Sequence, residues 1–209
     1  MQICGVDEAG RGSLLGPLVV AGVSVKKSAI NDLSSIGVKD SKKLLPKTRA
    51  EIYKEILKIV DKHYIVRINP RMIDANVKRH NLNNLEAKYM AKIISRLQPD
   101  IAYVDSCDVN PTRFGKKISL LSNISKIRSY HHAESKSLVV AAASIIAKVA
   151  RDKSIARIQK NYHVGSGYPS DSKTIGFVTQ YYQENQTFPN FVRTSWAPAK
   201  IIVNNVTLI

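Results

Sequence analysis

Apolar residues along this chain alternate between short runs and helical stripes. Ile3-Cys4-Gly5-Val6 is a short apolar run ending on two adjacent acids, Asp7 and Glu8, and Leu18 to Val25 is a second β-rich run behind Pro17. These predict a hairpin-like pair of strands at about residues 2–8 and 17–26. From Pro46 onward Ile52, Ile56 and Val60, with Tyr53 and Leu57, recur at helical spacing while Lys47, Arg49, Lys54 and Lys58 take other faces. His63 to Ile68 alternates as a third strand, and Asn69-Pro70 opens a helix with proline in its first turn. Asn81-Leu82-Asn83-Asn84 breaks that helix, Leu85, Ile93 and Leu97 carry the next, and Pro99-Asp100 stops it. Ile101 to Asp105 reads as a strand, Thr112 to Leu121 as a modest helix, and Ile124 to Tyr130 as a fifth strand. The longest helix is predicted from about Ser137 to Tyr162, on a stripe of Leu138, Ala141, Ile145 and Val149. A glycine-rich loop, Gly165 to Asp171, precedes a helix near Lys173 to Glu184, and an apolar segment follows Arg193-Thr194-Ser195-Trp196.

Strands first, then alternating helices and strands, then helices only, predict an α/β domain over residues 1–163. A helical C-terminal extension over 164–209 packs on it. The chain shows no internal repeat and no interdomain linker. It carries 32 Lys+Arg against 16 Asp+Glu, a formal charge of +16, which points to a polyanionic partner. No amphipathic helix with an aromatic edge argues for a membrane, so nucleic acid is the expected partner. Cys4 and Cys107 fall in or beside predicted strands and read as reduced packing residues. Without a signal peptide or a run of 18 apolar residues, the expectation is a soluble cytoplasmic protein.

The chemistry concentrates where the first strand ends. Asp7 and Glu8 lead at once into Gly10-Arg11-Gly12, whose glycines let a ligand approach the main chain. Neighbours in a strand point to opposite faces, so one acid is expected over the sheet and the other turned out at its edge. Gly10, Gly12 and Gly16 superficially suggest a dinucleotide fingerprint, but that motif opens a helix and here a β-rich stretch follows. Two further acids stand at element ends, Asp105 after a strand and Glu134 ahead of the longest helix. Clustered carboxylates repel one another unless cations neutralise them, and hard oxygen ligands suit Mg²⁺ or Mn²⁺. Two such ions about 3.5–4 Å apart form the clamp used for phosphodiester cleavage. His131-x-x-Glu134 hints at zinc, but no third ligand is spaced to support it.

Five blocks resemble ribonuclease HII, the type 2 ribonuclease H. They are Gly5-Val-Asp-Glu-Ala-Gly-Arg-Gly12, Gly16 to Gly22, Asp40-Ser-Lys-Lys-Leu44, Val140 to Asp152 and Gly165 to Asp171. They span residues 3 to about 196 in order, and the glycine-rich loop is most similar to the archaeal and eukaryotic branch. The resemblance implies an RNase H-like fold with a central mixed β-sheet flanked by helices. It implies endonucleolytic cleavage of RNA in RNA–DNA hybrids and 5′ of ribonucleotides embedded in duplex DNA, leaving 3′-OH and 5′-phosphate ends. It assigns two Mg²⁺ or Mn²⁺ ions to Asp7, Glu8, Asp105 and the position held by Glu134. Gly10, Arg11 and Gly12 would read the ribose 2′-OH at the junction, the one group that separates RNA from DNA, and Tyr168 would stack on the neighbouring deoxyribose.

Lys39, Lys42, Lys43, Lys148 and Arg151 are candidates for phosphate contacts, and Asp152 is expected to pair with a nearby base rather than a metal. A monomer is expected; a sliding clamp stands as a further partner, without a clear motif for it in Val203 to Ile209. Ser13 replaces a proline frequent in the family, from which little is expected, and His132 and Glu134 stand where Lys-Ala-Asp is usual. Two other classes compete with this reading, a non-catalytic hybrid-binding protein and a DDE-type recombinase. An acid at all four positions argues against the first, and the Gly-Arg-Gly turn with the Tyr168 loop argues against the second.

Overall fold

The computed structural model describes residues 1–38 and 44–207. Lys39, Lys42 and Lys43, with Asp40 and Ser41 of the same block, lie outside the described residues, as do Leu208 and Ile209. The chain forms two compact units. The first comprises Met1–Ala9, Val19–Val66 and Asn83–Ala150; the second comprises Gly10–Leu18, Arg67–Leu82 and the residues from Arg151 onward.

Five strands form one mixed sheet: β1 (Gln2–Ala9), β2 (Leu18–Lys26), β3 (Lys62–Ile68), β4 (Ile101–Asp105) and β5 (Ile127–Tyr130), in the order β3-β2-β1-β4-β5. β1 runs antiparallel to β2 and parallel to β4, and β4 runs parallel to β5. The helices among the described residues are α1 (Ile30–Ser35), α2 (Pro46–Ile59), α3 (Pro70–Val77), α4 (Leu82–Leu97), α5 (Pro111–Ser122), α6 (Leu138–Gln159), α7 (Ser172–Asn185) and α8 (Ala197–Thr207). None of them is long and apolar enough to cross a membrane.

β1 is central and buried on both faces, so its apolar run is nearly continuous rather than alternating. Two glycines let helices close on those faces. A Cβ on Gly5 would lie 2.2 Å from the carbonyl carbon and oxygen of Val139 in α6, and one on Gly22 would lie 2.4 Å from Ile93 in α4. Gly22 pairs with Val6, the neighbour of Gly5, so α4 and α6 cover opposite faces. The part of α6 against the sheet is buried all round, from Val140 through Ala147, which is why its alanines outnumber any polar stripe. Each fully buried Val or Ile there contributes about 1.5–3 kcal/mol.

Helix starts follow local chemistry. Asn69 caps α3 by accepting from the Met72 amide at 2.8 Å, and Asn110 caps α5 from the Arg113 amide at 2.9 Å, each with proline at the next position. Asp171 caps α7 from the Lys173 amide at 3.0 Å. The fifth strand begins at Ile127 rather than Ile124, because α5 ends on left-handed Asn123 and Ser119 Oγ donates to the Ile124 carbonyl at 2.8 Å. The longest helix stops at Gln159, short of Tyr162, where the Asn161 and Tyr162 amides both turn to the Ile158 carbonyl. α1 and α8 were not anticipated as helices.

The second unit has its own core, with Leu14, Leu15, Ile155, Val164, Val178, Val192, Ala199 and Ile202 at its centre. Tyr162, Phe177, Tyr181 and Phe191 form a group of ring contacts beside them.

Candidate active site

The parallel register of β1 and β4 pairs Gly5 with Tyr103 and Val6 with Val104. One step further along each strand stand Asp7 and Asp105, at the carboxyl ends of adjacent parallel strands, where such sheets hold their ligands. Carboxylate oxygens of Asp7, Glu8 and Asp105 lie within 4.8 Å of one another. Asp7 is buried while Glu8 and Asp105 are half-buried. This matches the expectation of one acid over the sheet and the other turned outward, and both reach the cluster. Strand alternation directs Cβ atoms, but the extra torsions of a glutamate side chain bring its carboxyl round to the cluster.

Two like charges about 4 Å apart repel by about 4 kcal/mol at the effective dielectric of a protein surface. Burial, and next the Asp105 charge, push the Asp7 carboxyl up from 3.8 to about 7. Opposing this are a hydrogen bond from Ser144, the Glu8 amide at 2.7 Å and the Lys148 ammonium. Lys148 Nζ in turn donates to Ser144 Oγ at 2.9 Å, so α6 presents an amine–hydroxyl pair to the buried acid. Three hard oxygen donors with a surplus of negative charge fit a divalent cation such as Mg²⁺ or Mn²⁺.

Glu134 is buried and sits in a 3-10 turn, Ala133–Ser135, behind left-handed His132. The Ala133 amide donates to Asp105 Oδ1 at 2.6 Å, which ties that turn to the cluster. Glu134 nevertheless stands outside the set whose oxygens fall within 4.8 Å, so the structure groups three of the four predicted acids. His131 Nε2 lies 3.3 Å from the Val109 carbonyl.

In the second unit the Gly10-Arg11-Gly12 turn is braced by two buried arginines. Arg193, fully buried, donates to the Arg11 carbonyl at 2.8 Å and the Gly16 carbonyl at 3.1 Å. Arg151, only 5 % exposed, donates through Nη2 to Ser13 Oγ at 2.8 Å and to the Ser166 carbonyl at 2.6 Å. Its guanidinium lies 4.2 Å from the centroid of the Tyr168 ring. Leu14 and Leu15 amides both donate to the Gly167 carbonyl, and Asp171 Oδ2 accepts from the Ser166 amide at 2.6 Å. The glycine-rich loop is thereby locked to the segment behind the turn.

Two expectations change accordingly. Arg151 is buried rather than a surface cation: Nη2 is engaged inside the unit and Nη1 lies 3.5 Å from Asp152. Ser13, from which little was expected, supplies the hydroxyl that Arg151 needs. An arginine two residues after Val149, at the end of the alanine-rich apolar run, was the available signal. Arg193 and Ser144 carried none. Gly10, at φ +81, requires glycine, whereas a Cβ on Gly12 would meet nothing within 4 Å. Lys148 is half-buried beside Asp7, nearer the acids than a phosphate-only role suggests.

The sequence model described as Ribonuclease HII matches residues 4–199. The ribonuclease HII of Cenarchaeum symbiosum (strain A) is 55 % identical over 202 residues, covering 97 % of this chain and 98 % of its own. The crystal structure of ribonuclease H2 from Pyrococcus horikoshii OT3 superposes with a TM-score of 0.93 at 39 % identity, covering 99 % of both chains. The RNase HII solved in the PCNA:RNase HII complex from Archaeoglobus fulgidus gives 0.86 at 39 % identity, covering 94 % of this chain and 95 % of that one. The mixed sheet flanked by helices is thus the RNase H-like fold, and this chain belongs to the ribonuclease HII family, hydrolases that cleave the RNA of RNA–DNA hybrids.

Proposed function

We propose that this protein is an endoribonuclease that cuts hybrid RNA and also nicks duplex DNA 5′ of a single embedded ribonucleotide, leaving 3′-OH and 5′-phosphate ends. The observation that carries the reading is the convergence of Asp7, Glu8 and Asp105 oxygens within 4.8 Å, on a strand leading straight into the Gly10-Arg11-Gly12 turn.

Asp7, Glu8 and Asp105 would hold the divalent cations, with Glu134 acting behind them rather than as an equal ligand. The chemistry supplied at this point by bound Mg²⁺ or Mn²⁺, two ions in this reading, is activation of water and charge neutralisation at the leaving oxygen. Ser144 and Lys148 orient the Asp7 carboxylate and offset part of the charge of the cluster. Arg193 fixes the Arg11 carbonyl, while Arg151 fixes Ser13 and the ring of Tyr168, so the turn and the loop are rigid before substrate arrives. The open space at Gly12 suits close approach of a ribose edge, where a 2′-OH distinguishes RNA from DNA. Tyr168 would pack on the next sugar. Lys39, Lys42 and Lys43 remain proposed for phosphate contacts. A sliding clamp is proposed as a partner, on the strength of the Archaeoglobus relative solved with PCNA.

The test is a panel of labelled duplexes: all-DNA, RNA–DNA hybrid, and DNA with one ribonucleotide, each with Mg²⁺ or with chelator. Cleavage of the last two in Mg²⁺ alone, with the single-ribonucleotide duplex cut at the 5′ side of the ribose, is expected. Cutting of the all-DNA duplex, or unimpaired cutting in chelator, would contradict the reading.

A further inference from the structure

The second unit carries a basic cleft that the carboxylate cluster and the glycine turn leave unexplained. It measures about 550 Å³; Arg71, Lys78 and Arg79 line one wall and Phe188, Pro189 and Asn190 another. Arg71 lies in the first turn of α3, Lys78 is its C-cap, and Arg79 follows. Arg71 and Lys78, seven positions apart, fall on one helix face, and Arg79 in the turn beyond lines the same cleft, so the three cations share a side and extend over about 10–12 Å.

The one acid in the cleft does not neutralise them. Asp74 is buried, and its two oxygens accept from the amides and hydroxyls of Thr194 and Ser195 at 2.5–3.0 Å. Among the described residues, Arg71, Lys78 and Arg79 make no ion pair, and all three are exposed. The helix dipole accounts for cations at the C-terminal end of α3, but it disfavours Arg71 at the N-terminal end. An external anion accounts for all three.

We propose that this face of α3 is a contact for the phosphate backbone of a polynucleotide. A nucleic-acid strand carries one charge per about 3.4 Å of helix axis, so cations spread over 10–12 Å meet more than one phosphate. The concave wall of Phe188, Pro189 and Asn190 guides a strand along the helix rather than capturing an isolated ion. A net charge of +16 on the chain favours a polynucleotide over an acidic protein segment. The inference rests on the nuclease reading for the identity of the polyanion, but its test is separate.

Binding of a duplex carrying one ribonucleotide is measured in chelator as a function of salt, for the unaltered chain, Arg71→Gln, and the triple variant Arg71→Gln/Lys78→Gln/Arg79→Gln. These positions are exposed, and thermal melting confirms that the variants fold. Each phosphate contact removed lowers the log–log slope by about 0.9, so the single variant loses about 0.9 and the triple about 2–3. A control removes three exposed charges elsewhere, Lys47→Gln/Lys54→Gln/Lys62→Gln. An unchanged slope in the α3 triple variant overturns the proposal, and so does an equal loss in the control. Cleavage of the same duplex by the unaltered chain in Mg²⁺ reports on the nuclease reading independently.

Discussion

At the residue scale the central group is Asp7. Its carboxyl is held at about 7 against an unfolded value near 3.9, so between those values the metal-free native state binds more protons than the unfolded chain. The sign follows: this group makes the metal-free protein less stable as pH rises from about 4 to about 7, with the full penalty above that. Asp7→Asn removes the penalty. The variant should melt roughly 3–8 °C higher than the unaltered chain at pH 8 in chelator, and the difference should vanish near pH 4. Thermal melts across that range, with an unchanged or lower melting point for Asp7→Asn at pH 8, would show that Asp7 is not under electrostatic strain. Gly12 makes the complementary point. Because a Cβ there meets nothing within 4 Å, Gly12→Ala should leave stability unchanged or raise it by about 0.4–1 kcal/mol. If the backbone must nonetheless approach a ribose, the same variant should lose most of its activity on a single embedded ribonucleotide. Retained activity would mean that the open space at Gly12 is not used.

At the element scale the site depends on how closely α6 rides on β1. Gly5→Ala would drive a Cβ into the Val139 carbonyl at 2.2 Å, a backbone contact that no rotamer relieves. Denaturant unfolding should show a loss above about 2 kcal/mol, together with reduced activity, because α6 also carries Ser144 and Lys148; a loss under about 0.5 kcal/mol would contradict that packing. This dependence was only partly legible in the sequence. β1, the acids at its end and the length of α6 announce themselves through apolar runs and alanines. α1 did not, because six residues hold too little period, and α8 was visible only as an apolar tail. The family resemblance grouped Asp7 with Glu8, while strand alternation, a rule about Cβ directions, did not show how both carboxylates reach one cluster. Glu134 occupies the family's fourth acid position with glutamate in place of aspartate, sits in a 3-10 turn, and stands outside the three-acid set.

At the scale of the whole molecule, each unit is assembled from segments distant in the chain. Arg151 meets Ser13 across 138 residues and Arg193 meets Arg11 across 182, contacts that no local pattern encodes. Family resemblance points to the turn and the tyrosine, while the buried arginines that hold them emerge only in the folded chain. The strongly basic chain suits a long polyanion, and the proposed function gives the chemistry to three acids inside it. The most direct measurement of that claim is single-turnover cleavage of a duplex bearing one ribonucleotide, followed against Mg²⁺ concentration for the unaltered chain and for Asp7→Asn. Metal-dependent cleavage by the unaltered chain, and a rate for Asp7→Asn lower by more than about 100-fold at saturating Mg²⁺, is the predicted result. Equal rates and equal metal dependence for the two proteins would contradict it and remove Asp7, and with it the three-acid cluster, from the chemistry.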